Sequence, residues 1–200
     1  MKAIQAKIAA KGIDTIQPIS MKNALDLKSS GIDFVIRYVN SITPAEIEGL
    51  LNAKMPFMLV TYAKAYDAGS LLDRLKFLSI PKDATIAFDL EAEKAENVSA
   101  IISKSNQIAK LLKASNKIPM IYYGAGLQLT SSELYLLEFT RYWESCSKEM
   151  DRFNKESSPR CDPCMIQLYP PNQPLCGLTV DYDIIQMDFN NRLPTWIVDE

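Results

Sequence analysis

Four carboxylates stand out by their setting: Asp14, Asp89, Glu91 and Asp181. Asp14 lies in a brief apolar segment, residues 13–16, just after Gly12. Asp89 and Glu91 end the apolar run that begins at Thr85. Residues two apart in an extended chain point the same way, so these two share a face. Two close carboxylates cannot both ionise freely, and one pKa rises. A protonated Glu beside an ionised Asp is the division of labour that cleavage of a glycosidic bond requires. The plainer alternative is that Glu91, Glu93 and Glu96 charge the start of the helix that follows, where its dipole favours acids.

The composition narrows the chemistry. The chain has no histidine, which removes Ser-His-Asp triads, Cys-His dyads and His-ligated zinc. Proton transfer falls to Asp, Glu, Lys, Tyr or Cys. The net charge is −2 with Lys and Arg dispersed, so no nucleic-acid partner is expected. No stretch is long and apolar enough to span a bilayer, and residues 1–11 do not read as a signal peptide. If the protein works outside the cell, something else delivers it or a leader precedes this sequence. Cys146, Cys161, Cys164 and Cys176 all lie in the last third. Disulfides, free thiols and a four-thiolate zinc site are the alternatives, and zinc usually asks for two Cys-x-x-Cys pairs where only Cys161-Asp-Pro-Cys164 is present.

The elements that must position the acids alternate. Strands are expected at 13–16, 34–39, 57–62, 85–90, 119–123, 139–143, 164–169 and 178–185, from their β-branched and aromatic content. Helices are expected at 23–29, 43–53, 69–78, 97–114 and 131–137, from apolar residues at helical spacing. Thr43, Pro44 and Glu46 read as a cap, a first-turn proline and a capping box. Residues 170–174 read as a proline-rich loop. Alternation of this kind implies βαβ units, and eight strands close a barrel. The expected fold is a single compact (β/α)8 TIM-like barrel of parallel strands over residues 1–200. A polar, cysteine-bearing excursion is expected at about 145–164. No Gly-rich phosphate loop favours an open dinucleotide-binding sheet instead.

In a parallel barrel the functional groups gather at the C-terminal strand ends. Those ends add Arg37, Tyr62, Tyr122, Gln167, Tyr169 and Asp183 as candidate substrate contacts. Carboxylates and aromatic faces together suit a sugar. Arg37 in an apolar strand needs a carboxylate partner. It either orients Asp89 or Asp14 or forms a structural ion pair. Gln167 is either a substrate hydrogen-bonder or a satisfied core amide. Tyr62, Tyr122 and Trp143 are either a sugar platform or packing.

Gly12-Ile-Asp14, a helix, and then Gly31-Ile-Asp-Phe-Val-Ile-Arg37-Tyr38 resemble the opening of glycoside-hydrolase-like domains related to the family 25 lysozymes. Asp89-Leu-Glu91 and Val180-Asp181-Tyr-Asp183 resemble that family's later acidic motifs, and Ile166-Gln-Leu-Tyr169 its Gln-bearing seventh strand. The resemblance implies a compact barrel hydrolysing β-1,4 bonds of peptidoglycan or a related glycan. Glu91 would be the general acid. Asp89 and Asp181 would tune it and stabilise developing positive charge, and Asp14 would position substrate. It implies no cofactor, a monomer, and action at the cell wall or outside the cell. A catalytically inactive glycan-binding or structural barrel is the alternative. Three features depart from the pattern: Thr15-Ile16-Gln17-Pro18 after Asp14, Asp183 where Asn is usual, and the cysteine-bearing insert.

Overall fold

The computed structural model describes residues 1–62, 68–90, 98–124, 129–145 and 162–200. Glu91, Cys146, Cys161 and most of the expected excursion lie outside them.

Eight strands close a barrel: β2 (Lys11–Thr15), β3 (Phe34–Tyr38), β4 (Phe57–Tyr62), β5 (Thr85–Asp89), β6 (Ile118–Tyr123), β7 (Arg141–Ser145), β8 (Met165–Leu175) and β9 (Leu178–Ile185). The β4–β5 pairing shuts the ring. Helices α1 (Met21–Ser29), α2 (Pro44–Asn52), α3 (Ala68–Phe77), α4 (Val98–Ala114) and α5 (Ser131–Leu134) follow β2 to β6 in turn. All eight expected strands form, seven of them within two residues of their predicted bounds and β8 six residues longer at its end.

One expectation is corrected. Strands β2 to β8 run parallel, but β9 runs antiparallel to both β8 and β2. The reason is the length of the connection. Parallel neighbours need a crossover of about a dozen residues. Here only Cys176 and Gly177 separate the strands, and both take positive φ, as a tight hairpin demands. Residues 170–174, expected as a loop, belong to β8, whose outer end pairs Gln173 with Val180 and Leu175 with Leu178.

Two further strands were not anticipated. β1 (Lys2–Gln5) pairs with β10 (Thr195–Val198), and β10 joins β4 through Ile197 and Phe57. They lie at the end where the parallel strands begin, and Ala6, Ala10, Leu193 and Trp196 join the interior cluster there.

Alternation of side chains divides the interior into two layers. Phe34, Ile36, Met58, Val60, Ala87, Met120, Trp143 and Met165 fill the barrel. Val35, Leu59, Ile86, Phe88, Ile121 and the apolar stripes of α1 to α4 fill the shell between barrel and helices. Thr43 caps α2 through the backbone N–H of Glu46, as expected. The Glu46 carboxylate does not complete a capping box. It turns inward to accept from Arg37 Nε at 2.6 Å and from Ile19 N at 2.9 Å.

Candidate active site

β2 and β9 lie side by side in the ring, and their register sets Asp14 opposite Asp181 and Gly12 opposite Asp183. These residues alternate with Ile13 of the outer shell, so Asp14, Asp181 and Asp183 face the barrel interior. Asp89 ends β5 between Tyr62 and Tyr122 of the neighbouring strands. The structure thus brings Asp14, Asp89, Asp181 and Asp183 to one mouth, at the C-terminal ends of the parallel strands. Glu91 lies outside the described residues.

Gln167 of β8 sits at the centre. Its Nε2 donates to Asp14 Oδ2 at 3.0 Å and to Asp181 Oδ2 at 3.1 Å. Its Oε1 accepts from Tyr122 Oη at 3.0 Å and from Ser145 Oγ at 3.1 Å. Ser145 was expected to begin the excursion; it is the buried last residue of β7. The signal that places it is period two, since Arg141, Trp143 and Ser145 share a face.

Asp183 is only 1% exposed. Its Oδ1 accepts from Trp143 Nε1 at 3.0 Å, while its Oδ2 meets no donor. A buried carboxylate oxygen without a donor is costly. Burial, and then the charge of Asp14, raise the Asp183 carboxyl well above the ordinary range. A proton kept on Asp183 and donated to Asp14 satisfies both groups. Asp14 is pushed up to about 8, by burial first and then by Asp181, against the lowering effect of the Gln167 amide. Asp181 accepts from Gln167 and from the backbone N–H of Asn172.

Aromatic side chains surround the acids. Tyr38 and Tyr62 stack with ring centroids 4.3 Å apart. Burial, and then the charges of Asp89 and Asp14, raise the Tyr38 phenol, so it stays a hydroxyl donor. Tyr122 and Trp143 meet at 4.4 Å in a tilted pair. Tyr169, in the middle of β8, is half exposed.

Arg37 does not reach the mouth. It is wholly buried on the outer face of β3, and its partners are Glu46 and the carbonyl of Thr15. The structural ion pair is therefore the reading that stands, with Glu46 in place of Asp14 or Asp89. Asp183 is likewise too buried to touch a substrate. The Gln167 amide has both N–H groups and both lone pairs engaged within the protein.

Among the described residues, Cys164 and Cys176 are free thiols, at opposite ends of the eleven-residue strand β8. Cys164 is buried, and burial pushes its thiol up to about 12, unlike the activated thiol of a redox pair. No group of three or more Cys, Asp or Glu among the described residues is placed to hold a metal ion. No helix among them is long and apolar enough to cross a membrane.

No protein-family model and no curated protein matches this chain. Solved structures do. An uncharacterized B. stearothermophilus protein is similar with a TM-score of 0.67 at 15% identity, over 90% of this chain and 96% of that one. A Tat-secreted protein of Mycobacterium tuberculosis, solved with L-tartrate, is similar at 0.61 and 13% identity, over 89% and 96%. A bacterial lysozyme from Streptomyces coelicolor is similar at 0.61 and 14% identity, over 92% and 95%. At these identities the likeness is one of fold: the barrel is built like that of a bacterial lysozyme.

Proposed function

We propose that this chain is a glycoside hydrolase of the lysozyme type, acting on β-1,4 bonds of peptidoglycan or a related glycan. The observation that carries the reading is the gathering of Asp14, Asp89, Asp181 and Asp183 at one aromatic-lined mouth. Support comes from the likeness of the barrel to a bacterial lysozyme. In this reading Glu91, which follows Asp89 by two residues, protonates the leaving glycosidic oxygen. Asp181 and Asp89 stabilise the positive charge that develops on the sugar ring, and water adds across the broken bond. Asp14, held by Gln167 and Asp183, orients a sugar hydroxyl. Tyr62, Tyr122 and Tyr169 supply apolar faces for the rings. The protein acts as a monomer at the cell wall or outside the cell and needs no cofactor.

A glycan-binding barrel without turnover is the second reading. It is favoured by the fact that Asp14, Asp181 and Asp183 already hold donors within the protein. Turbidity loss and released reducing ends on purified peptidoglycan, wild type beside Glu91→Gln, separate the two. Turnover that vanishes in a folded Glu91→Gln establishes the hydrolase. Binding to the same walls with no turnover in either protein establishes the binding module.

A further inference from the structure

We propose that Gln167 is the positioning residue of the mouth, holding the Asp14 and Asp181 carboxyls in one fixed arrangement rather than touching substrate. Its functional weight rests on the glycan reading above, but its geometry does not. An amide side chain has two N–H donors and an oxygen with two lone pairs. All four positions are filled, the donors by the two carboxylates and the lone pairs by Tyr122 and Ser145.

The orientation of the amide follows from its neighbours. An ionised carboxyl only accepts, and Nε2 lies within hydrogen-bond reach of both Asp14 and Asp181, so the nitrogen faces the two acids. The hydroxyls of Tyr122 and Ser145 can donate, and they secure the oxygen end. One side chain thereby ties β6, β7, β8, β9 and β2 together at the mouth. It also lets two acids on adjacent strands stay close despite their repulsion, because each receives a donor from the same group.

The charged and titratable groups facing Asp14 are Asp181 and Asp183 from β9, Asp89 from β5 and Tyr38 from β3. The charges of Asp181 and Asp89 disfavour the Asp14 anion, and the hydrogen bonds from Gln167 and Asp183 stabilise it. Loss of the amide therefore raises the pH at which Asp14 titrates.

The test is an NMR pH titration of the free protein, without any glycan. In the wild type, the side-chain N–H resonances of Gln167 should shift with the same midpoint as the Asp14 carboxyl carbon. In Gln167→Met, which keeps the bulk and loses the donors, the Asp14 midpoint should rise by about one pH unit or more, a tenfold change in proton affinity. Gln167→Glu, which sets a third carboxyl beside the two acids, should raise the midpoint at least as far. Amide resonances that stay flat through the Asp14 titration overturn the proposal, even if both variants fail to fold. So does a folded Gln167→Met with an unmoved midpoint. Inertness on every glycan would sink the hydrolase reading and leave this titration result standing by itself.

Discussion

Arg37 and Glu46 face one another behind the barrel wall, Nε 2.6 Å from Oε1, with the guanidinium wholly buried. The same guanidinium holds the carbonyl of Thr15, and the same carboxylate holds Ile19 N. One buried ion pair thus anchors the chain between Asp14 and α1. Removing one partner strands the other charge, at a cost of about 3–5 kcal/mol. Glu46→Ala is expected to lose stability of that order in urea denaturation. An Arg37→Met/Glu46→Leu double variant should recover much of it, because the desolvation cost of both charges disappears. A loss below about 1 kcal/mol in Glu46→Ala, the range of exposed pairs, would contradict this account.

Stability should fall as pH rises. Asp14 titrates near 3.8 when unfolded and is raised to about 8 when folded, so the native state binds the extra proton between those values. Stability contributed below the unfolded value is lost through that window, with a slope of up to about 1.4 kcal/mol per pH unit for the site. Asp183, raised for the same physical reason, adds in the same direction. Urea unfolding at about pH 5 and about pH 8.5 should show the decline, and Asp183→Asn should lessen it, since an amide N–H can replace the shared proton. A decline of equal size in the variant would count against the shared-proton pair.

Gly12 lies two residues before Asp14, and a Cβ there would come within 2.2 Å of the Phe34 ring. Gly12→Ala should therefore destabilise by about 1–3 kcal/mol through overpacking. Pairing it with Phe34→Leu should restore part of the loss, as read by thermal unfolding. Additive losses in the double variant would exclude the steric cause.

Cys164 should resist alkylation in the native protein, because its thiol is buried and donates to the Tyr142 carbonyl. Peptide mapping after iodoacetamide treatment should find Cys176, which is partly exposed, modified well before Cys164. Equal rates at the two positions would contradict the packing described.

The strands of the barrel were legible because each is a short β-branched or aromatic run, and Asp14, Asp89 and Asp181 were legible because they interrupt or end such runs. What escaped was set by pairing distant in sequence. β1 and β10 are four residues each and find one another across nearly the whole chain. The direction of β9 was obscured by prolines at 170, 171 and 174, which signal a loop locally but here occupy the outer part of β8. The two-residue spacing at Cys176-Gly177 was the available sign of a hairpin. Arg37 was read as needing an acid, and it has one. Glu46 was missed as that acid because its position in the first turn of α2 suggested a cap. Gln167 was noticed, but nothing local could show that Tyr122 and Ser145 would fill its oxygen.

Met1 and Glu200 meet through an ion pair, and the β1–β10 ribbon that carries them lies at the end opposite the acids. A surface, bead or fused partner tethered at either terminus would hang beneath the barrel and leave the mouth turned outward.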